Sequence, residues 1–547
     1  MKNIVRFVVT LTLTSALVGC SFLNNQPQDT LTADNYYTSA KAIEQNCYSL
    51  YSAKTWSNFQ MSFMWMAGDE LAGDMFYTYD QEGQFYYMTF GSNNTYLTQG
   101  WTGLYRVISF ANNIINDMPA AARKQGVAED AINQGLAQAR CARALAYYIL
   151  TEYWGAVTIV EDNLAMMNTA LYRNTQDHVY RFIVEDLEYA QAVLPPTQSV
   201  RGLPTCWSAK GLLAKVYLTM ASHLNNAKSA EYFEKAKTYA ADVINNSGLT
   251  LYPDYSTLFD IEANNCGESL FAIQNMVGGY AMGNSRTAHW SRSTFVSDIA
   301  WGQGKGPTLS LQESYDPSDA RRQWVFMTLG DYYPNINKAD GGYTYYFVRR
   351  DEAGNKLEDN NEVLANIKKY VLGKSADCNG GVGDQQDAGN NTYLLRLADV
   401  YLCYVEACIG SGEATTDPLA IDVFNRIHHD RAQLPEVTSV TYQELILERR
   451  CEFALEGINF FDIKRMSYRD EKQAVAYLNR MERHRSYYPD DNLRTLTNEN
   501  TWEPYITPNP SYEPIIITAK MLTLPVPGSE ITAMPSLNED PKPYYND

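Results

Sequence analysis

The sequence is poor in the residues that most catalytic and metal centres need. Its 547 residues include only 6 histidines, and the one dense feature among them is His428-His429-Asp430. The nine cysteines are scattered, at 20, 47, 141, 206, 266, 378, 403, 408 and 451, with no C-x-x-C and no Cys/His spacing suited to zinc. No G-x-S-x-G elbow, phosphate loop, H-E-x-x-H or dinucleotide fingerprint is present. These absences remove the commonest hydrolase, nucleotide-binding and metalloprotein readings. A glycosidase needs only two carboxylates, so that chemistry stays open at this level. Positive charge is short as well. The 44 Lys and Arg face 63 Asp and Glu, and a net charge of −19 makes nucleic acid a poor partner. Beyond the N-terminus no apolar run reaches the ~20 residues of a membrane span.

What is present begins at that N-terminus. Lys2 and Arg6 precede an apolar run from Phe7 to Val18, which ends in Leu17-Val18-Gly19-Cys20. A small residue directly before Cys fits a lipoprotein cleavage box. Residues 1–19 are therefore predicted to be an export signal and Cys20 the lipidated N-terminus, with Ser21 to Asp29 as a polar tether. The alternative is an ordinary secretory signal followed by a chance Cys. Most of the other cysteines read as small buried residues, Cys141, Cys403 and Cys451 among them.

Helical periodicity dominates the first half and the last quarter. Val179, Ile183, Leu187, Ala190 and Leu194 form one face over 176–194, stopped by Pro195-Pro196. Similar stripes cover 232–244, 393–408 and 443–458, and further helices are expected at 38–53, 98–117, 128–153, 205–224, 416–430 and 469–483. Pairing is expected between 128–153 and 176–194, between 208–224 and 230–246, and between 393–410 and 416–430. The spacing of the pairs is too irregular for a strict 34-residue array. The predicted fold is mainly α, a scaffold of tetratricopeptide-like hairpins with large loop-rich insertions and a few short strands. Strands are expected at 268–274 and 343–350.

The organisation read from these patterns is an N-terminal helical scaffold over 20–248 with an aromatic insertion at 57–97. A loop-rich, ligand-binding insertion follows at 249–390, then C-terminal hairpins at 391–500 and an extended Pro- and Tyr-rich segment at 501–547. The middle region is punctuated by Gly278-Gly279-Tyr280, by the run from Gly302 to Pro307, and by Asp340-Gly341-Gly342.

Several blocks, in order, resemble the SusD/RagB family of nutrient-binding outer-membrane lipoproteins. They start with Cys20-Ser21-Phe22-Leu23, Pro27 and Leu31-Thr32. Trp101, Leu104-Tyr105 and Ala111-Asn112 follow, then Ala139, Arg143-Ala144, Tyr147, Tyr153 and Gly155. Asp186-Leu187, Ala190 and Leu194-Pro195 lead to Ala209–Tyr217. Near the C-terminus come Arg396-Leu397-Ala398-Asp399-Val400-Tyr401-Leu402 with Glu406-Ala407, and Glu448-Arg449-Arg450, Glu452, Glu456-Gly457, Asp462-Ile463 and Arg465. Leu524-Pro525-Val526-Pro527, Glu530-Ile531 and Asn538 close the series. The chain departs from the pattern at Asn459, where the family has Arg, and at Val157-Thr158, where it usually has Pro. No acidic run follows Cys20.

The resemblance implies a helical, non-enzymatic protein held in the outer membrane by its lipid and facing the cell exterior. It further implies a ligand site on the insertions, and a SusC-like TonB-dependent barrel as the partner that receives an oligosaccharide. Peptide cargo, as in the RagB branch, is the alternative, and a glycoside hydrolase the least favoured reading. No cofactor is implied.

Glu444, Glu448, Glu452 and Glu456 recur every four residues and stack on one helix face, where they repel unless cations answer them. Arg396, Arg449, Arg450 and Arg465, with Asp462 nearby, are expected to make a structural ion network with Glu448, Glu452 and Glu456. The other reading is an acid–base site, but no nucleophile or metal ligand accompanies it. His428-His429-Asp430 reads as a helix-end or solvated feature in preference to a metal site. The loops 351–362 and 384–391 are acidic enough for a structural Ca²⁺ but lack the EF-hand pattern.

Sugar capture needs aromatic rings for the apolar faces of pyranoses and fixed polar groups for their hydroxyls. Two insertions, rich also in Glu70, Phe76, Tyr86 and Tyr87, mix both. Tyr77, Tyr79, Tyr280, Trp290 and Trp301 are the candidate platform, and Asp69, Asn284 and Arg286 the candidate polar groups. For each, the competing reading is a loop packed onto the scaffold. Trp101, Trp154 and Trp207 lie in helical patterns and are assigned to the core.

Overall fold

The computed structural model describes residues 33–164, 169–358, 361–483, 485–489, 506–509 and 514–546. The export signal 1–19 and Cys20 lie outside them.

Helical hairpins form the frame. The helices are α1 (Thr95–Lys124), α2 (Glu129–Trp154), α3 (Gln176–Val193), α4 (Cys206–Ser222), α5 (Ser229–Asn246), α6 (Leu397–Ile409), α7 (Pro418–Asn425), α8 (Tyr442–Phe453), α9 (Asn459–Arg469) and α10 (Glu471–Arg480). Each of α1 to α5 packs on its successor, α5 packs on α6, and α6 also touches α4, α7 and α8. The ends follow ordinary capping chemistry. Asn94 Oδ1 accepts the Tyr96 and Leu97 N–H groups at the start of α1, and Thr441 forms a capping box with Glu444 at the start of α8. Helix α4 is apolar nearly all round and is buried accordingly.

Four local expectations change. The stripe read as a helix from 393 begins instead as a strand, Thr392–Arg396, paired antiparallel with Ser269–Ile273. Its Thr-Tyr-Leu-Leu start suits a pleated, buried ladder, and the helix begins at Leu397. The helix read over 443–458 ends at Phe453, and Leu455 and Gly457 both take positive φ. That turn frees the chain to form α9, which the periodicity did not suggest. The 57–97 insertion is no surface excursion. Ala53–Asn58 continues into π turns at Phe59–Phe63 and Met66–Glu70, whose Phe59, Phe63, Trp65 and Met66 are buried. A π turn adds a residue per turn, so the 3.6 period slips and the stripe is lost. The C-terminal segment is not merely laid on the surface either. Leu522, Leu524 and Val526 are buried, and Trp154 Nε1 donates to the Pro525 carbonyl at 2.9 Å. Trp101 and Trp154 are core, whereas Trp207 is only half-buried. The eight cysteines within the described residues are all free.

Close approach at Gly68 joins the first π-turn region to the C-terminal block. A Cβ there would sit 2.2 Å from the Gly457 carbonyl oxygen, so only glycine fits. Asp69, beside it, accepts the Gly457 N–H at 3.1 Å.

The glutamate stripe of α8 is answered chiefly from other elements. Glu452 receives Arg431 at 2.7 Å, Arg321 at 2.9 Å and Arg396 at 3.1 Å. Glu448 receives Arg321 at 2.6 Å and His428 at 2.7 Å, and Glu456 receives Arg396 at 2.6 Å and Lys369 at 2.8 Å. Glu268 closes the group between Arg396 and Arg431. Arg449, Arg450 and Arg465, expected to answer the same stripe, turn elsewhere. Arg449 pairs with Asp399 and Asp462, Arg465 with Glu406 and Asp462, and Arg450 with Asp74. Asn459, in place of Arg, donates its side-chain amide N–H to the Asp74 carboxylate at 2.6 Å. Glu444 stays at the surface in its cap.

Burial alone would raise the pKa of Glu452, but Arg431, Arg396 and Arg321 hold it well below the carboxylate range. Asp399 is likewise held low against its burial by Lys215 and Arg449. A folded pKa below the unfolded value stabilises above that unfolded value, about 4 for carboxylates, and the gain disappears as pH falls. Thermal denaturation followed by circular dichroism should therefore show this contribution as a steep loss of Tm below about pH 4. At neutral pH, Glu452→Ala leaves three guanidinium groups around a void and should cost about 3–5 kcal/mol. Glu444→Ala should cost far less. Equal losses in the two variants would contradict this account.

Candidate functional site

The short strand Met75–Phe76 pairs antiparallel with Gly306–Pro307. That pairing sets the residues just beyond it side by side, Tyr77 to Tyr79 on one segment and Trp301 to Lys305 on the other. Lys305 Nζ lies 4.5 Å from the Tyr77 ring centre and forms an ion pair with buried Glu82. Tyr77 and Tyr79 meet edge to face with centroids 5.5 Å apart. The Gly304 backbone runs against both rings, since a Cβ there would lie 3.3 Å from Tyr79 and 3.4 Å from Tyr77. Tyr79 is 57% exposed and Tyr77 half-buried.

Trp301, 51% exposed, stands on the same segment. Its N–H donates to the Ala288 carbonyl at 2.8 Å, and its ring meets the edge of His289 at 5.2 Å. His289 Nε2–H donates to Gln386 Oε1 at 3.0 Å. Burial, helped by the Lys305 charge, lowers the His289 pKa to about 4, so the ring is neutral at physiological pH. Next to Gln386, Asp387 accepts the Gly278 and Gly279 N–H groups, each at 2.7 Å. Those glycines carry a third exposed group, Met276, Val277 and Tyr280, of which Tyr280 is 60% exposed. Tyr77 and Tyr79 thus lie on the segment paired with that of Trp301, and Trp301 is linked to the Tyr280 turn through His289, Gln386 and Asp387.

The other expected site residues are not on this surface. Trp290 is fully buried, wedged against Trp65 and Tyr370. Gly302 crosses directly over it, where a Cβ would come within 2.3 Å of the Trp290 backbone. Arg286 is buried among the rings of Trp65, Trp290 and Tyr370 and donates to Thr392 Oγ1 at 3.1 Å. Asn284 exchanges backbone hydrogen bonds with Ala388 and is also buried. Asp69 holds Gly457, and burial together with neighbouring Asp74 raises its pKa well above the carboxylate range. All four are corrected to structural supports, because the polar residues of an insertion with little regular structure are needed to satisfy its own backbone. Glu70, Phe76 and Tyr86 are buried as well, and Tyr87 is half-buried.

Residues the sequence reading passed over include His289, Lys305, Gln386 and Asp387. The two glycine-rich runs, at 278–279 and 302–306, were the available signals. His428 bonds Glu448, and His429 Nδ1–H donates to the Leu434 carbonyl at 2.7 Å. Asp351 accepts the Asn355 N–H and side-chain amide, closing its loop on itself. Among the described residues no group of three or more His, Cys, Asp or Glu is placed to hold a metal ion.

This arrangement, exposed rings on loops braced by a helical frame, is that of a surface binding protein. Residues 233–545 match the family model described as SusD family, and residues 21–218 match one described as starch-binding, associating with outer membrane. A SusD-like protein of Bacteroides ovatus is 33% identical, with 100% of this chain and 98% of the relative aligned. A structure determined with xylogluco-oligosaccharide is 32% identical, with a TM-score of 0.81 over 92% of this chain and 100% of the other. Surface glycan-binding protein A from Bacteroides fluxus has the same fold at 18% identity and a TM-score of 0.67, over 92% of this chain and 99% of that protein. The chain belongs to the SusD family.

Stability and site occupancy separate here. Trp290→Ala should cost about 3–5 kcal/mol of stability, as expected for a buried aromatic. Trp301→Ala should leave the Tm within about 1 °C, since exposed substitutions usually stay within ±0.5 kcal/mol. Differential scanning calorimetry of the two variants checks it.

Proposed function

We propose that this chain is a lipid-anchored glycan-binding protein of the outer membrane. Tyr77, Tyr79, Trp301 and Tyr280 hold an oligosaccharide through its apolar faces. The observation that carries this reading is the exposure of Tyr79, Trp301 and Tyr280 on segments linked by strand pairing and through His289, Gln386 and Asp387. Exposed rings gathered on neighbouring segments, in contrast to single scattered ones, mark a binding surface. Family membership, and the relative solved with xylogluco-oligosaccharide, support a glycan as the cargo and make a xyloglucan-type chain the first to try. The protein binds without turnover and passes its ligand to a SusC-like TonB-dependent barrel. Acylated Cys20 anchors it, with the body facing the cell exterior.

A shallow platform gives modest affinity, with the rings as its strongest contributors. Isothermal titration against xylogluco-, cello- and malto-oligosaccharides should find at least one binder with no product released. Trp301→Ala should weaken that binding about tenfold, ~1.4 kcal/mol. Tyr77→Ala, Tyr79→Ala and Trp301→Ala together should abolish it. Binding that survives the triple variant moves the site elsewhere, and peptides co-purifying without any glycan binding would make the cargo a peptide.

A further inference from the structure

The exposed rings fall into two arms that share no secondary structure. One is Tyr77, Tyr79 and Trp301, built on the pairing of Met75–Phe76 with Gly306–Pro307. The other is the turn from Met276 to Tyr280. Between them stands the segment Gln385 to Ala388. Asp387 is buried, and its carboxylate accepts three backbone N–H groups: Gly278 and Gly279 from the second arm at 2.7 Å, and Gln385 at 3.0 Å. Burial alone would raise its pKa, and these donors hold it below the ordinary carboxylate range. One residue earlier, Gln386 reaches the other way. Its Oε1 accepts from His289, whose ring sets the edge against which Trp301 stands. Gln386 does this from a backbone with φ of 59°, a conformation that L side chains adopt only at a cost. Ala388 then pairs with Asn284 on both backbone groups, which fixes the segment from below.

We propose that Gln386 and Asp387 are positioning residues that lock the two aromatic arms into one extended site, which therefore selects a ligand long enough to span both. This rests on the reading of the rings as a glycan platform. The strained Gln386 is informative because glycine relaxes the same backbone. Gln386→Gly therefore removes the side chain without adding backbone strain.

The test uses the full chain and a xylogluco-oligosaccharide, titrated calorimetrically alongside thermal unfolding. Gln386→Gly should keep or raise the Tm yet weaken binding by about fivefold, because Trp301 loses its fixed neighbour. Asp387→Asn should weaken binding to about the same extent as Tyr280→Ala. Combining those two should add nothing further, since one residue acts through the other. A Gln386→Gly protein that binds like the parent overturns the proposal, as does full additivity of Asp387→Asn with Tyr280→Ala. If Trp301→Ala weakens binding while these variants do not, the platform stands and the brace alone fails. If the parent binds none of the glycans tried, platform and brace fall together.

Discussion

The structure depends on one buried cluster of charge. Glu452 sits at its centre, with Arg321 from the loop-rich middle region, Arg396 at the junction of strand and α6, and Arg431 beyond α7. Glu268 and Lys369 bring two more points of the middle region to the same place. That region has little ladder or helix of its own with which to dock. Apolar contact would bind it without fixing its orientation, because hydrophobic burial is non-directional. Guanidinium groups bound to two or three carboxylates accept few arrangements. Net stability relative to a well-packed apolar cluster is small, whereas loss of one member leaves charges buried and unpaired. The cluster therefore acts as a joint that fixes where the insertion sits on the hairpins.

From that joint the geometry of the rings follows by contact. Arg396 ends the strand Thr392–Arg396, and Thr392 at its other end receives Arg286. Arg286 lies among Trp65, Trp290 and Tyr370, and Trp65 in turn meets His289, the neighbour of Trp301. The buried residues that resembled a binding site are thus the supports of the exposed ones.

Much of the frame was legible because helices declare themselves by period. Helices α3, α4 and α5 lie where their apolar stripes put them, and the short link between α4 and α5 gave their pairing. Legibility failed where the period is broken or the partners are remote. The π turns at 59–70 destroy the 3.6 repeat, and α9 follows a turn that needs positive φ at Leu455 and Gly457. The glutamate stripe was visible, and remote Arg396 was rightly among its expected cations, but the others were sought close by in sequence. Arg321, Lys369 and Arg431 could not be found without the fold. The site was legible in kind more than in detail. Trp290 and Trp301 occupy similar Gly-rich polar stretches, and only the packing of Trp290 against Trp65, Tyr370 and Arg286 separates a core ring from a displayed one.

That separation bears on how weak contacts become useful. A sugar face on a ring gains little if the ring must first be ordered, since immobilising each side chain at an interface costs about 0.5–1.5 kcal/mol. Here the ordering is done in advance. Lys305, paired to Glu82, underlies Tyr77, and the Gly304 backbone flanks both tyrosines. Glu70 lies beside Glu82, and its burial and that neighbour raise its pKa well above the carboxylate range. Neutral His289 fixes Trp301 without placing a second cation beside Lys305. The surface that results is rigid and apolar at its rings, and its charges are paired beneath. Uncharged, hydroxyl-rich chains are the ligands such a surface can hold without the desolvation cost that an ion would add.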